Sequence, residues 1–204
     1  MAEEGCGVVY GKRTRRYSSY SGEASEAPAN LVQRDFHAAA PNRLWLTDVT
    51  EFHVDAAKVY LSATVDCFDG APVSWAIGTS PNAEPANAML EDACERLPAG
   101  DAPVIHSDRG CHHGWPGWID ICGSHGLVRS MSKKGCPPDD SACEGFFGRP
   151  ENEFFYYRDR GNVTVSRFID ELDRYMHYYL EEREKESLGW LSPMDYRKSL
   201  GLVA

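Results

Sequence analysis

From Leu44 onward, apolar and polar positions alternate. In LWLTDVTEFHV, Leu44, Leu46 and Asp48 fall on one side and Trp45, Thr47 and Val49 on the other, with Phe52 and Val54 following. A period of two predicts a β-strand. VYLSATVDCFD predicts a second strand, ending in Asp69-Gly70, a hairpin turn signal. APVSWAIGTS predicts a third, so three consecutive strands form an antiparallel meander.

The period then lengthens. Between Asn82 and Leu97, the residues Ala86, Met89, Leu90, Ala93 and Leu97 recur at helical spacing, and Pro98 and Gly100 end the helix. APVIHSD, residues 102–108, is a short apolar run closed by polar residues, which suits a buried parallel strand. A short helix is expected from Pro116 to His125, a fifth strand at LVRSMS, and helices over 139–156, 164–186 and Pro193–Leu200. This order predicts an α/β domain with a mixed sheet of about five strands, flanked by helices. Residues 1–42 contain SSYSGEASEAPAN, which has no periodicity and reads as a linker or extended arm; residues 43–204 read as the folded core.

Charge changes the picture. The net charge is −10, which argues against a nucleic-acid binder, since such proteins carry a basic footprint. The charge is uneven, however: residues 44–143 hold 14 acidic and 6 basic residues, whereas Lys12, Arg13, Arg15 and Arg16 cluster in KRTRR. Concentrated acid is either a solvated surface or partly a metal site. The seven cysteines include no CxxC pair, and the cluster Cys111, His112, His113, Cys122 and His125 matches no familiar zinc spacing. No secretory leader and no apolar run near the roughly 20 residues of a membrane span are visible, so a cytoplasmic protein without a membrane anchor is expected.

Three carboxylates stand out by setting. Asp48 lies mid-strand among Trp45, Leu46 and Val49; Asp108 ends the fourth strand; Glu144 lies at a helix start in PPDDSACEGFF. A carboxylate on a core strand is unfavourable unless something pairs with it. Singly, a salt bridge or a helix cap explains each. Together, two strand ends and a nearby helix could converge where ligands bind in open α/β sheets. Like charges that close require a divalent cation, and oxygen-only ligands select magnesium or manganese.

Thirty-five residues separate Asp108 from Glu144. Asp48 in WLTDVTEF, Asp108 in HSDRG and Glu144 in GCPPDDSACEGFFGR resemble the D, D(35)E signature of the integrase core. More specifically, the chain resembles the transposases of the IS-three family of bacterial insertion sequences. The likeness extends through RYSSYSGE, APANLVQRDFHAAAPNRLWLTD, SWAIGTSPNAE, WPGW, RSMSKKGC and LGWLSPMDYRKSLG.

The resemblance implies a ribonuclease-H-like fold and a DDE transposase, in which the three acids hold two Mg2+ or Mn2+ ions for DNA cleavage and strand transfer. It implies DNA as partner, both transposon ends and target, and association with a second copy or with an intact transposase. Lys133 and Lys134 become candidates for phosphate contact, beside Lys12, Arg13, Arg15 and Arg16. His106, two before Asp108, either orients that acid or is structural; Trp115 and Trp118 read as core.

Some positions depart from the family pattern. Asp140 stands where an Asn is usual, GRPENE replaces GRLKNE, and YLEEREKESLG replaces a segment resembling YNxxRxHxxLG. Glu151 occupies a position where a Lys would contact DNA, and Pro150 is expected to kink or end the helix that carries Glu144. An active enzyme and a non-catalytic transposase remnant that still folds are both compatible with this pattern. A ribonuclease-H-like nuclease of another role is disfavoured by the flanking strings.

Overall fold

The computed structural model describes residues 28–54, 57–108, 114–132, 141–156 and 163–203, with backbone alone for 141–144. Strands β1 (Leu44–Val54), β2 (Ala57–Asp66) and β3 (Pro72–Gly78) form the expected antiparallel meander. The turn into β3 is closed by Gly70 at φ 71° and by the Ala71 N–H donating to Asp69 Oδ1 at 2.9 Å. Strands β4 (Val104–Ser107) and β5 (Val128–Met131) add in parallel beyond β1, giving the order β3-β2-β1-β4-β5. This is the five-stranded mixed sheet that the alternation predicted.

Side-chain alternation divides the core into two layers. Trp45 and Ile105 face α1 (Ala83–Glu95) and α2 (Pro116–Ser124), where they meet Met89, Leu90 and Trp118. Leu46, Phe52, Leu61 and Val65 face the other side, against α3 (Ser141–Arg149) and α4 (Val165–Glu181). Helix α4 earns its place through Phe168, Leu172, Tyr175, Met176 and Tyr179, a buried stripe at helical spacing. Thr164 caps it, its side chain accepting from the Arg167 N–H. A last helix, α5 (Pro193–Ser199), is capped by Ser192 and packs beside α4.

Two helix ends differ from expectation. The helix expected over 139–156 is α-helical to Arg149 and then continues as a π-helix over Pro150–Phe155. Pro150 does not end the helical path. In an α-helix its ring would press on the carbonyl four residues back, and the wider π turn relieves that clash. The Tyr156 N–H accordingly donates five residues back to the Glu151 carbonyl, at 2.8 Å. The Asn152 side chain donates to the Gly148 carbonyl at 2.7 Å within the same turn.

The second difference is α4, which stops at Glu181 rather than near 186. The Glu182 and Arg183 N–H groups both turn back to the Tyr178 carbonyl, and the chain bends so that Arg183 reaches Glu153. No helix among the described residues is long and apolar enough to cross a membrane.

Candidate active site

The parallel pairing of β1 and β4 sets Leu46 opposite His106 and Thr47 opposite Ser107. Asp48 and Asp108 each lie one residue further on, so the backbone brings them level on neighbouring strands. Asp48 follows Leu46 by one pleat and shares the sheet face covered by α3 and α4. It is only 5% exposed, and its Oδ1 accepts from the Val49 N–H at 2.8 Å. Asp108 stands just past the end of β4 and is half-buried.

Glu144 lies in the first half of α3, the helix that packs over β1. Its side chain lies outside the described residues, and among those described no group of three potential ligands converges. Lys12, Arg13, Arg15, Arg16, Lys133, Lys134 and Asp140 also fall outside the described residues.

His106 is buried on the same face. Its Nδ1 lies 2.9 Å from Ser130 Oγ and its Nε2 lies 3.1 Å from Ser132 Oγ. Ser130 Oγ also accepts from the Leu31 N–H, and the Phe36 ring meets the imidazole edge-on at 5.6 Å. His106 therefore ties residues 31–36 to β4 and β5. The two serines were legible in RSMS, where a spacing of two puts both on one strand face, but only the structure pairs them with His106. Trp118 is buried in the core, as read from sequence.

Glu151 needs correction. The expectation was a DNA-facing acid in place of a lysine, whereas the side chain is buried, 7% exposed, within the π turn. A lysine there would bury an ammonium group instead of offering one to DNA.

Its neighbour Glu153 was not singled out by the sequence reading. Its carboxylate accepts from Arg183 at 2.6 and 2.8 Å and from the Tyr175 hydroxyl at 2.9 Å, and Arg149 stands 3.8 Å away. Burial pushes this carboxyl up, but the Arg183 and Tyr175 contacts outweigh it and hold it below the ordinary 4.5. A carboxyl depressed on folding contributes stability above about pH 4.5, lost as the pH falls through its lowered value. Wild type should therefore lose stability relative to Glu153→Gln as urea midpoints are compared from pH 7 down to pH 3. Parallel curves would contradict this.

A cavity of about 570 Å³ opens between the sheet and α3, lined by Phe36 and Leu46, by Phe146 and Arg149 from α3, and by Tyr179 and Lys185. Lys185 Nζ donates to the Asp69 carbonyl at 2.6 Å, and burial lowers its ammonium to about 8.

Comparison with known proteins decides the family. Residues 38–137 match the integrase core domain, a span that includes Asp48 and Asp108. The "Probable transposase for insertion sequence element IS1353" of Shigella flexneri is 52% identical over 204 residues, which are 100% of this chain and 40% of that protein. A transposase-like protein of Haemophilus influenzae is 38% identical over 185 residues, 91% of this chain and 84% of that one. The chain belongs to the integrase-core transposases of bacterial insertion sequences. Its fold is ribonuclease-H-like. The HTLV-2 integrase catalytic core, solved in complex with magnesium, superposes with a TM-score of 0.58 at 17% identity, covering 78% of this chain and 97% of that one. This transposase chain spans less than half the length of the Shigella relative.

Proposed function

We propose that this chain is a DDE catalytic domain for DNA transposition, with Asp48, Asp108 and Glu144 as its metal-binding acids. The reading rests above all on the level placement of Asp48 and Asp108 at the ends of adjacent parallel strands, with Asp48 almost wholly buried. Two carboxylates on one sheet face, beneath the helix bearing a third, form an oxygen-only donor set that fits magnesium or manganese. Two such ions, when bound, would supply Lewis-acid stabilisation of charge at a phosphodiester.

The chain's own groups do the positioning. The Val49 N–H fixes one Asp48 oxygen, leaving the carboxylate plane set by the strand. His106 and its two serines brace β4 against β5 directly below Asp108. The proposed reaction has two steps. Water bonds to phosphorus at an element end, and the bond to the 3′-oxygen breaks, leaving a 3′-hydroxyl and a 5′-phosphate. That 3′-oxygen then bonds to a target phosphorus, displacing the target's own 3′-oxygen and losing its proton.

In the same reading, residues 43–204 are the catalytic core and residues 1–42 an arm. Lys133, Lys134 and the KRTRR cluster carry the phosphate contacts that an acidic core lacks. The partners are element ends, target DNA and a second copy, in a bacterial cytoplasm.

Manganese titration calorimetry tests this reading. Asp48→Asn and Asp108→Asn should each weaken binding by about tenfold or more, since even supporting groups at metal sites have effects of that order. Joining of a supplied 3′-hydroxyl end to plasmid DNA should vanish in both. Manganese binding indifferent to both changes would overturn the assignment.

A further inference from the structure

We infer that Glu153 and Arg183 are positioning residues for the active site: their ion pair fixes the rotation of α3, the helix that bears Glu144. This inference rests on the proposed metal-binding role of Glu144.

The helix that bears Glu144 is poorly restrained on one side. Gly145, Phe146 and Arg149 line the cavity between α3 and Leu46, so close packing does not hold that face. On that face Phe146 meets Tyr179, which also lines the cavity, edge-on at 5.0 Å, and Phe147 is buried in the core. Rings can slide and roll on one another at small cost. A charge-assisted fork cannot, because its two N–H bonds fix direction as well as distance.

That fork sits at the far end of the same helical rod. Arg183 Nε and a terminal nitrogen engage the two Glu153 oxygens, and Tyr175 holds one of them from α4. The Arg183 side chain lies over the Tyr179 ring at 5.2 Å, which limits its own freedom. Glu153 itself lies within the π turn over Pro150–Phe155, which continues α3 directly. There the Glu153 carboxylate meets the Tyr175 hydroxyl of α4 at 2.9 Å. If the fork is lost, the π turn can relax, and α3 turns with it about its own axis. The fork pairs positions 30 residues apart, so it ties the π turn that continues α3 to the segment just past α4.

The test uses the whole chain and reads metal affinity as well as joining. Arg183→Lys keeps the charge but removes the fork. It should weaken manganese binding about tenfold, in the range typical of supporting groups at metal sites. DNA affinity and the far-UV circular dichroism spectrum should stay as in wild type. The charge-swapped pair Glu153→Arg with Arg183→Glu should recover most of the affinity that Arg183→Glu alone loses. If Arg183→Lys does not fold, Tyr175→Phe, which removes one hydrogen bond and no charge, should show a smaller loss of the same kind. Folded variants that bind manganese like wild type would overturn the inference, provided Asp48→Asn has lost binding. Unchanged binding in Asp48→Asn as well would overturn the metal site and the inference together.

Discussion

Replacing Arg197 with methionine should destabilise the protein by about 3–5 kcal/mol, the usual consequence of leaving buried charges without their partner. Arg197 Nε donates to Asp69 Oδ2 at 2.6 Å, and one terminal nitrogen donates to Asp69 Oδ1 and Asp66 Oδ2, both at 3.0 Å. Both aspartate side chains have no exposed surface. The same aspartates organise backbone: Asp66 accepts from the Asn42 and Phe68 N–H groups and Asp69 from that of Ala71. One guanidinium thus joins α5 to the β2–β3 turn and to the entry of β1, the strand that carries Asp48.

Methionine fills similar space without charge, so the loss is electrostatic more than steric. Arg197→Lys should cost less, since an ammonium keeps the charge but not the fork. The pH dependence follows from Asp66. Burial raises its carboxyl above the ordinary 3.8, against the backbone donors and Arg197 that lower it. An acid raised on folding takes up protons as the pH falls toward that value, so the folded state gains relative to the unfolded. Without Arg197 the rise should be larger, and the deficit of Arg197→Met should therefore be greatest at pH 7 and shrink toward pH 4. Urea unfolding at the two pH values measures both. A deficit under about 1 kcal/mol at pH 7 would mean that the aspartates are satisfied without the arginine.

The contrast between what was and was not legible follows from the range of the interactions. The meander was readable because alternation in LWLTDVTEFHV and its neighbours is local, each side of the strand feeding its own core layer. Parallel β4 was readable because a short apolar run closed by polar residues suits a buried strand. Asp48 drew notice as a carboxylate among core positions, and the structure buries it. Glu144 was less distinct: its helix has other acids nearby, and the resemblance to a family strengthened what its place at a helix start suggested.

Helix termini were the weak point. Nothing within Val165–Glu181 says that α4 must stop at Glu181; the stop depends on Arg183 reaching Glu153, thirty positions earlier. Pro150 was read as a breaker because an α-helix was the only helical geometry considered, and the π turn offers a second. Asp69 was read as a turn residue, which it is, while its bond to Arg197 lies 128 residues away and leaves no local pattern. Glu151 was expected to face DNA because the family pattern has a lysine there, and the structure buries it within the π turn.

The aromatic layer behind α3 should be the other large contributor to stability. Phe168 is fully buried on α4 and touches three rings: Phe52 from β1 at 5.6 Å, Phe154 at 5.4 Å and Phe155 at 5.9 Å. Phe168→Ala removes a ring at the point where α4, the π turn and the sheet meet. Such changes typically cost about 3–5 kcal/mol through lost burial and the cavity left behind. Phe168→Leu, which retains most of the apolar volume, should cost distinctly less. Because β1 sends Trp45 into one layer and Phe52 into the other, the two layers should not melt separately. Tryptophan fluorescence and far-UV circular dichroism should give one shared unfolding midpoint in wild type and in Phe168→Ala alike. Split midpoints would show that the α1–α2 layer survives loss of the other. A cost under about 1.5 kcal/mol would show that the ring cluster closes over the gap, since only volume-conserving core changes are normally that mild.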